Sequence, residues 1–292
     1  MRARRVTTSN EVDRRTAGAV RLKERAVRFR RAVWAYYRMH GRHDLLWRRT
    51  TDPYRILVSE MMLQQTQVPR VIPKYRSFIK RFPTVRRLAQ ASLADVLKEW
   101  SGLGYNRRGK FLHDAAKEVV GRYGGRVPQD APALRALSGV GEYTASAVRA
   151  FAFNKRVAML ETNIRTALIH HFHTTEDGPL GKVGDKGLTE LMAKIVEVEK
   201  RPREFYWALM DYGAHLKASG VRNNIRSKHY AKQSRFEGSL RQVRGEILRQ
   251  LSNGGPSSAI CRGRSSARMR EALSGLERDG LIKKEKGKWH IA

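Results

Sequence analysis

From Val27 to about Leu216 the apolar residues return at helical spacing, as in Val27, Phe29, Val33, Trp34 and Tyr37, and strand-like alternation is scarce, so this stretch reads as all-α. Pro53, Pro69, Pro132 and Pro202 stand at helix starts, where the fixed φ and missing N–H of proline are tolerated. Segments 92–99, 107–123, 142–153, 163–172, 186–199 and 203–218 are further helices joined by short turns. Residues 1–26 are polar and basic with few large apolar side chains, and they read as a flexible or frayed arm. The pattern gives an arm at 1–26, a helical core at 27–216, a basic linker at 217–238 and a C-terminal domain at 239–292.

In that last segment Ser239–Leu251 is amphipathic, a polar loop follows Asn253, and Ser265–Asp279 is a second helix. Leu281–Ile291 then alternates around Lys286-Gly287 as a short hairpin should. Two helices and a basic two-stranded wing look like a winged helix-turn-helix, whose second helix enters the major groove. Charge agrees with such a partner. Of 292 residues 59 are Lys or Arg and 27 Asp or Glu, a net +32, which favours polyanions. No apolar run reaches the roughly 18 residues needed to cross a bilayer, and no apolar stretch follows the Arg-rich start as in a secretory signal. A single cysteine, Cys261, rules out an internal disulfide framework, a four-cysteine zinc site and a four-cysteine iron–sulfur cluster. The expectation is a cytoplasmic, nucleoid-associated monomer that binds nucleic acid, without membrane or metal.

Four motifs carry candidate chemistry. In Tyr54–Val68, Ile56, Leu57, Val58, Met61, Met62 and Leu63 cover most of a helix circumference, with Glu60 in the middle and Gln64 one turn on. A carboxyl in such surroundings should have a raised pKa, which suits a group that gives a proton at neutral pH. In Leu137–Ala145, Gly139 and Gly141 allow a tight reversal, Val140 can plug the core, and the helix opened by Gly141 offers N–H groups to a phosphate. Trp100–Arg108 places Tyr105 on a glycine loop, where a ring can wedge between bases while Arg107 and Arg108 meet phosphates. Val157–Arg165 delivers Glu161 to a helix start capped by Thr162 or Asn163. Two carboxyls so placed suit the division of labour seen in glycoside hydrolysis, one giving a proton and one stabilising a developing cation.

Leu137-Ser138-Gly139-Val140-Gly141 with Thr144-Ala145 resembles the helix-hairpin-helix of the DNA glycosylase superfamily, and Ser59–Val68 resembles the active-site helix of MutY-type adenine DNA glycosylases. The likeness covers about residues 30–216 and implies a mainly α, two-lobed fold with a cleft between lobes, here followed by the winged helix. By that likeness Glu60 protonates a flipped adenine at N7, Trp47 and Arg48 belong to the base pocket, Gln64 or Gln65 fills the gap in the duplex, and Tyr143 and Asn163 line the sugar. Bifunctional members carry Lys where this chain has Tyr143; Tyr cannot form an imine, which implies a monofunctional enzyme with water as nucleophile.

The chain also departs from the pattern. Leu46 stands where Pro is usual and Asn106 where a second Tyr is usual. Glu161-Thr162 replaces an Asp-Gly pair, lengthening the catalytic acid by one methylene. The cluster cysteines that follow Ala208–Ala214 in the family are missing, so no iron–sulfur cofactor is expected. The family's module that inspects 8-oxoguanine is replaced by residues 239–292. The expected activity is hydrolytic removal of adenine opposite 8-oxoguanine or guanine in double-stranded DNA. Alternatives are thymine or uracil removal from G mispairs, and a non-catalytic winged-helix DNA-binding protein.

Overall fold

The structure, a computed structural model, describes residues 9–175, 178–179, 182–222, 227, 236–254 and 266–292. Its helices run α1 Ser9–His40, α2 Pro53–Leu63, α3 Val68–Arg81, α4 Val85–Gln90, α5 Leu93–Trp100, α6 Arg107–Tyr123 and α7 Ala131–Arg135. They continue as α8 Glu142–Phe151, α9 Thr162–Phe172, α10 Asp185–Glu197, α11 Pro202–Ala218, α12 Leu240–Ser252 and α13 Ser266–Arg278. Strands are short: β1 Thr174–Thr175 pairs antiparallel with β2 Gly178–Pro179, and β3 Ile282–Glu285 with β4 Lys288–Ile291. Two compact units form, Met1–Arg42 with Lys155–Tyr230 and His43–Asn154 with Ala231–Ala292.

In the first unit α11 packs on α9 and on α1. Phe29, Val33, Ile164, Leu168, Met192, Phe205 and Leu209 are buried here, the one-face burial that the helical spacing demands. The reading of residues 1–26 as a frayed arm is corrected from Ser9 onward, since α1 starts there and runs 32 residues. Arg, Glu, Lys, Leu and Ala in this stretch are good helix formers, and Arg25 ties α1 down by donating to the His171 carbonyl at 2.7 Å. Residues 1–8 lie outside the described residues, as do 223–226 and 228–235 of the linker and 255–265, Cys261 among them.

Gly213 shows why α9 and α11 come so close. A Cβ there would lie 2.1 Å from the Asn163 carbonyl oxygen and 2.5 Å from its carbon, both backbone atoms. Gly213→Ala must force the helices apart, and overpacking of a tight interface costs about 1–3 kcal/mol or more. A lower urea midpoint with displaced amide signals around Asn163 is the expected result, checked by titration and NMR.

His171 adds an acid-sensitive point. Its Nε2 is 2.8 Å from the Tyr212 hydroxyl, the Phe29 ring lies 5.0 Å away, and burial, then the charges of His170 and Arg25, push its pKa down to about 4. The unfolded chain takes up the proton near pH 6.5, so the stabilisation is complete above that pH and is lost as pH falls from about 6.5 to about 4. Partial exposure reduces the effect to about 1–2 kcal/mol. Urea midpoints should drop between pH 7.5 and 5.0, and His171→Leu should flatten that dependence.

In the second unit α2 is wrapped by α3, α6 and α8. Asp52 caps α2 by accepting from the Tyr54 and Arg55 N–H groups, with Pro53 in the first turn. The short α4, which the spacing of its apolar residues does not announce, is set by Thr84, whose hydroxyl accepts from Arg87 N. Among the described residues the C-terminal segment has α12, α13 and a hairpin whose turn residues Lys286 and Gly287 have φ of 48° and 77°, the left-handed pair that a two-residue hairpin favours. Val243, Ile247, Leu248, Leu273, Leu276 and Leu281 share one apolar cluster with Leu97 of α5, and Leu93 packs against it. The described residues of 239–292 therefore share a core with α5.

Candidate active site

The α2 helix is apolar almost all round, yet its Ser59 and Glu60 are also inside. Glu60 is 6 % exposed, so an exposed, surface-paired role for it is excluded. The Tyr143 hydroxyl, from the first turn of α8, reaches Glu60 Oε2 at 3.3 Å, so the α2 acid and the hairpin meet at one point. Just beyond, Gln64 caps α2 and its amide donates to Thr144 Oγ1 at 3.2 Å. Trp47, on a 3-10 turn Leu46–Arg48, is buried edge-on against Tyr75 at 5.5 Å, and Arg48 is buried beside it in sequence. Burial pushes the Tyr75 phenol up to about 12, so it stays protonated at neutral pH.

The glycine-loop arginines divide their work. Arg107 is exposed, stacks over Phe111 at 4.8 Å and lies 3.6 Å from Asp279. Arg108 is not turned toward an outside phosphate. It is buried and donates to the carbonyls of Met61 (2.7 Å), Met62 (3.0 Å), Gln64 (2.6 Å) and Gly104 (3.0 Å), and to Thr66 Oγ1 (3.1 Å). The reason is local: the last carbonyls of α2 lack helical partners, and a guanidinium satisfies several of them together. Burial lowers its pKa to about 10, which still leaves it charged at neutral pH.

Tyr105 is partly buried, and its ring is held rather than loose. The Arg241 guanidinium from α12 donates to the Tyr105 hydroxyl at 2.7 Å and lies 5.3 Å from the ring centroid. Gln65 is exposed, and both it (φ 53°) and Tyr105 (φ 47°) adopt left-handed backbone, unusual for residues with a Cβ. In the hairpin only Gly139 uses positive φ (73°), and a Cβ there would strike Phe111 at 2.6 Å. Gly141 is instead an extended N-cap (φ −83°), which corrects the reading that both glycines make the reversal. Val140 is buried and plugs the core, and Glu118 of α6 pins the turn by accepting from Ser138 N (2.8 Å) and Ser138 Oγ (2.7 Å).

The other unit holds the second carboxyl. Glu161 is itself the cap of α9, where Thr162 or Asn163 was expected: its Oε1 accepts from the N–H groups of Asn163 and Ile164, each at 2.8 Å. The longer side chain folds back onto its own helix start. Tyr206 steadies the approach to this point by donating to the Val157 carbonyl and accepting from Met159 N at 3.3 Å. Burial pushes the Glu161 carboxyl up, while the two N–H donors, Lys217 and Arg165 oppose it. Lys217 Nζ also lies 3.3 Å from Asn163 Oδ1. Among the described residues no three His, Cys, Asp or Glu side chains converge as for a metal ion, and no helix is long and apolar enough to cross a membrane.

Residues that sequence reasoning missed are Thr144, Glu118 and Arg241. Glu118 and Arg241 act across 20 and 136 positions of chain, and no spacing rule signals either.

Comparison with known proteins matches residues 58–194 to the HhH-GPD superfamily base excision DNA repair protein model. The adenine DNA glycosylase of Mycolicibacterium smegmatis is 37 % identical over 225 residues, 72 % of this chain and 75 % of that protein. That of Mycobacterium tuberculosis is 41 % identical over 180 residues, 61 % of this chain and 58 % of that protein. Among solved structures, a thermostable thymine-DNA glycosylase superposes with a TM-score of 0.57 at 28 % identity, over 66 % of this chain and 87 % of its own.

Proposed function

This chain belongs to the HhH-GPD superfamily of base excision DNA repair proteins, in its MutY-type branch, and from that premise we propose that it is a monofunctional glycosylase that hydrolyses adenine from mispaired double-stranded DNA. The observation that carries the proposal is the buried Glu60 carboxyl with the Tyr143 hydroxyl at 3.3 Å. An acid kept inside an apolar helix is costly unless it works.

In this reading the target base is flipped from the stack, which costs least at a mispair. Glu60 gives a proton to the adenine ring, weakening the base–sugar bond, and then takes one from the attacking water. Tyr143 orients the Glu60 carboxyl and offers no amine to the sugar, so water completes the reaction. Glu161, with Asn163 beside it, supplies negative charge to the oxocarbenium-like sugar; at 4 Å and an effective dielectric near 20 such an anion is worth roughly 4 kcal/mol. Trp47 and Arg48 belong to the base pocket. Gln64 or Gln65 fills or borders the vacated duplex position, and the Tyr105 ring wedges between bases. Arg107 and the N–H groups at Gly139 and Gly141 take phosphates, while the Val140 N–H is held by the Leu137 carbonyl at 3.1 Å and Val140 only shapes the turn; α13 with the β3–β4 hairpin forms a winged-helix contact to the same DNA.

Glu161→Gln separates charge from capping. The amide oxygen can keep both N–H bonds, so folding should persist while single-turnover base release falls about 10²–10³-fold. An unchanged rate with Gln and with Asp removes Glu161 from the chemistry. The overall proposal is tested by heat-and-alkali cleavage of labelled duplexes carrying A·8-oxoG, A·G, T·G or U·G. Cleavage at adenine supports it. Product only from T·G or U·G favours the thymine and uracil alternative, which the 28 % identity to a thymine-DNA glycosylase motivates. Tight binding with no product favours a non-catalytic DNA-binding protein.

A further inference from the structure

The end of α11 lies against the first turn of α9. Gly213 permits the approach, since a Cβ there would strike the Asn163 carbonyl. One turn further along α11, Lys217 reaches across, and its Nζ donates to Asn163 Oδ1 at 3.3 Å. The neighbouring acid is Glu161. Both of its cap bonds, from the N–H groups of Asn163 and Ile164, fall on Oε1, and no donor among the described residues is bonded to Oε2. Capping uses one oxygen of this carboxyl and leaves the other for a substrate.

A carboxyl removed from water tends to keep its proton, and burial pushes Glu161 that way. The charged and titratable groups around it come from α9, α10 and α11. Arg165 of α9 donates to both oxygens of Asp185 of α10, at 2.9 and 2.8 Å, so its charge is largely offset. His215, in the same last turn of α11 as Lys217, is stacked on the Tyr36 ring at 4.6 Å. The Tyr206 hydroxyl, further back on α11, is taken by the Val157 carbonyl. Lys217 pairs with no carboxylate among the described residues, and of the two cations it opposes the burial of Glu161 more. An opposite charge within about 4–6 Å favours the ionised form of a carboxyl.

We propose that Lys217 is a positioning residue for the sugar-facing acid: its ammonium fixes the Asn163 side chain and holds Glu161 as an anion, so that Oε2 meets the electron-poor sugar charged. Lys217 acts through Glu161 and Asn163, not on the sugar itself. The inference rests on the proposed glycosylase reading, in which Glu161 supplies that negative charge, and goes beyond it by naming the group that keeps the charge there.

The test uses the full chain with 13C-labelled glutamate carboxyls, the Glu161 signal being the one lost in Glu161→Gln. In Lys217→Met its titration midpoint should move up by about one pH unit, and Lys217→Arg, which keeps the charge, should leave it in place. Single-turnover release of adenine from an A·8-oxoG duplex at saturating protein is then followed from pH 5 to pH 9. A carboxyl whose pKa rises loses its charge first on the acid side. The acid limb of the rate profile in Lys217→Met should therefore shift upward by the same interval, about a tenfold loss of rate on that limb. Lys217→Arg should restore the limb, and thermal melts confirm that both variants are folded. An unmoved Glu161 midpoint, a rate loss equal at every pH, or a loss that saturating protein abolishes overturns the proposal. The NMR titration needs no DNA, so it decides whether Lys217 holds the charge even when the intact protein cleaves no duplex, a result that would sink the glycosylase reading instead.

Discussion

Glu60→Gln is expected to lower single-turnover base release by about 10³-fold or more while leaving the protein folded. General acid catalysis contributes typically 10²–10⁴-fold. Gln is nearly isosteric with the buried carboxylic acid, and the Tyr143 hydroxyl at 3.3 Å finds an amide oxygen in its place. The packing around Ile56, Leu57, Met61 and Met62 is untouched, so thermal melting should shift by no more than a few degrees. Release of labelled adenine, measured with enzyme in excess, decides the matter: a loss below tenfold means another group protonates the base. Tyr143→Phe should fall between the two, since it keeps the ring and removes only the hydroxyl.

Arg108→Met should have the largest effect on stability. The guanidinium satisfies carbonyls of Met61, Met62, Gln64 and Gly104 and the Thr66 hydroxyl, in a place where water does not replace it. Removing one partner of such a buried charged network costs about 3–5 kcal/mol. In a unit of this size that corresponds to a Tm lower by roughly 10 °C. Lys should rescue little, because one ammonium cannot span acceptors spread along the end of α2 and the glycine loop. Had Arg108 been a phosphate contact, substitution would spare Tm and weaken binding to every DNA sequence alike. Calorimetry and anisotropy on the same variant separate these outcomes.

Much of the fold was legible because local rules agree with tertiary packing at those places. The helix Arg107–Tyr123 is found where its apolar spacing begins and ends, and Lys286-Gly287 turns the hairpin because the twist of two paired strands wants left-handed residues. The burial of Glu60 was legible from its neighbours, six apolar residues that leave no polar face for it. Arg108 was misread because spacing tells which face a residue lies on and says nothing about which unpaired carbonyls lie across from it. Glu161 was placed correctly at a helix start, but the side chain long enough to reach a substrate is also long enough to cap its own helix. The hold of Arg241 on Tyr105 joins positions 136 residues apart, and that distance in sequence hides it from any motif.

The seam between Leu97 and the leucines of α12 and α13 fixes where Arg241 hangs over Tyr105. The hold on the Tyr105 ring and the fabric that keeps the unit together are then one object. Deleting those last helices would uncover Leu93 and Leu97 as well as release the Tyr105 ring.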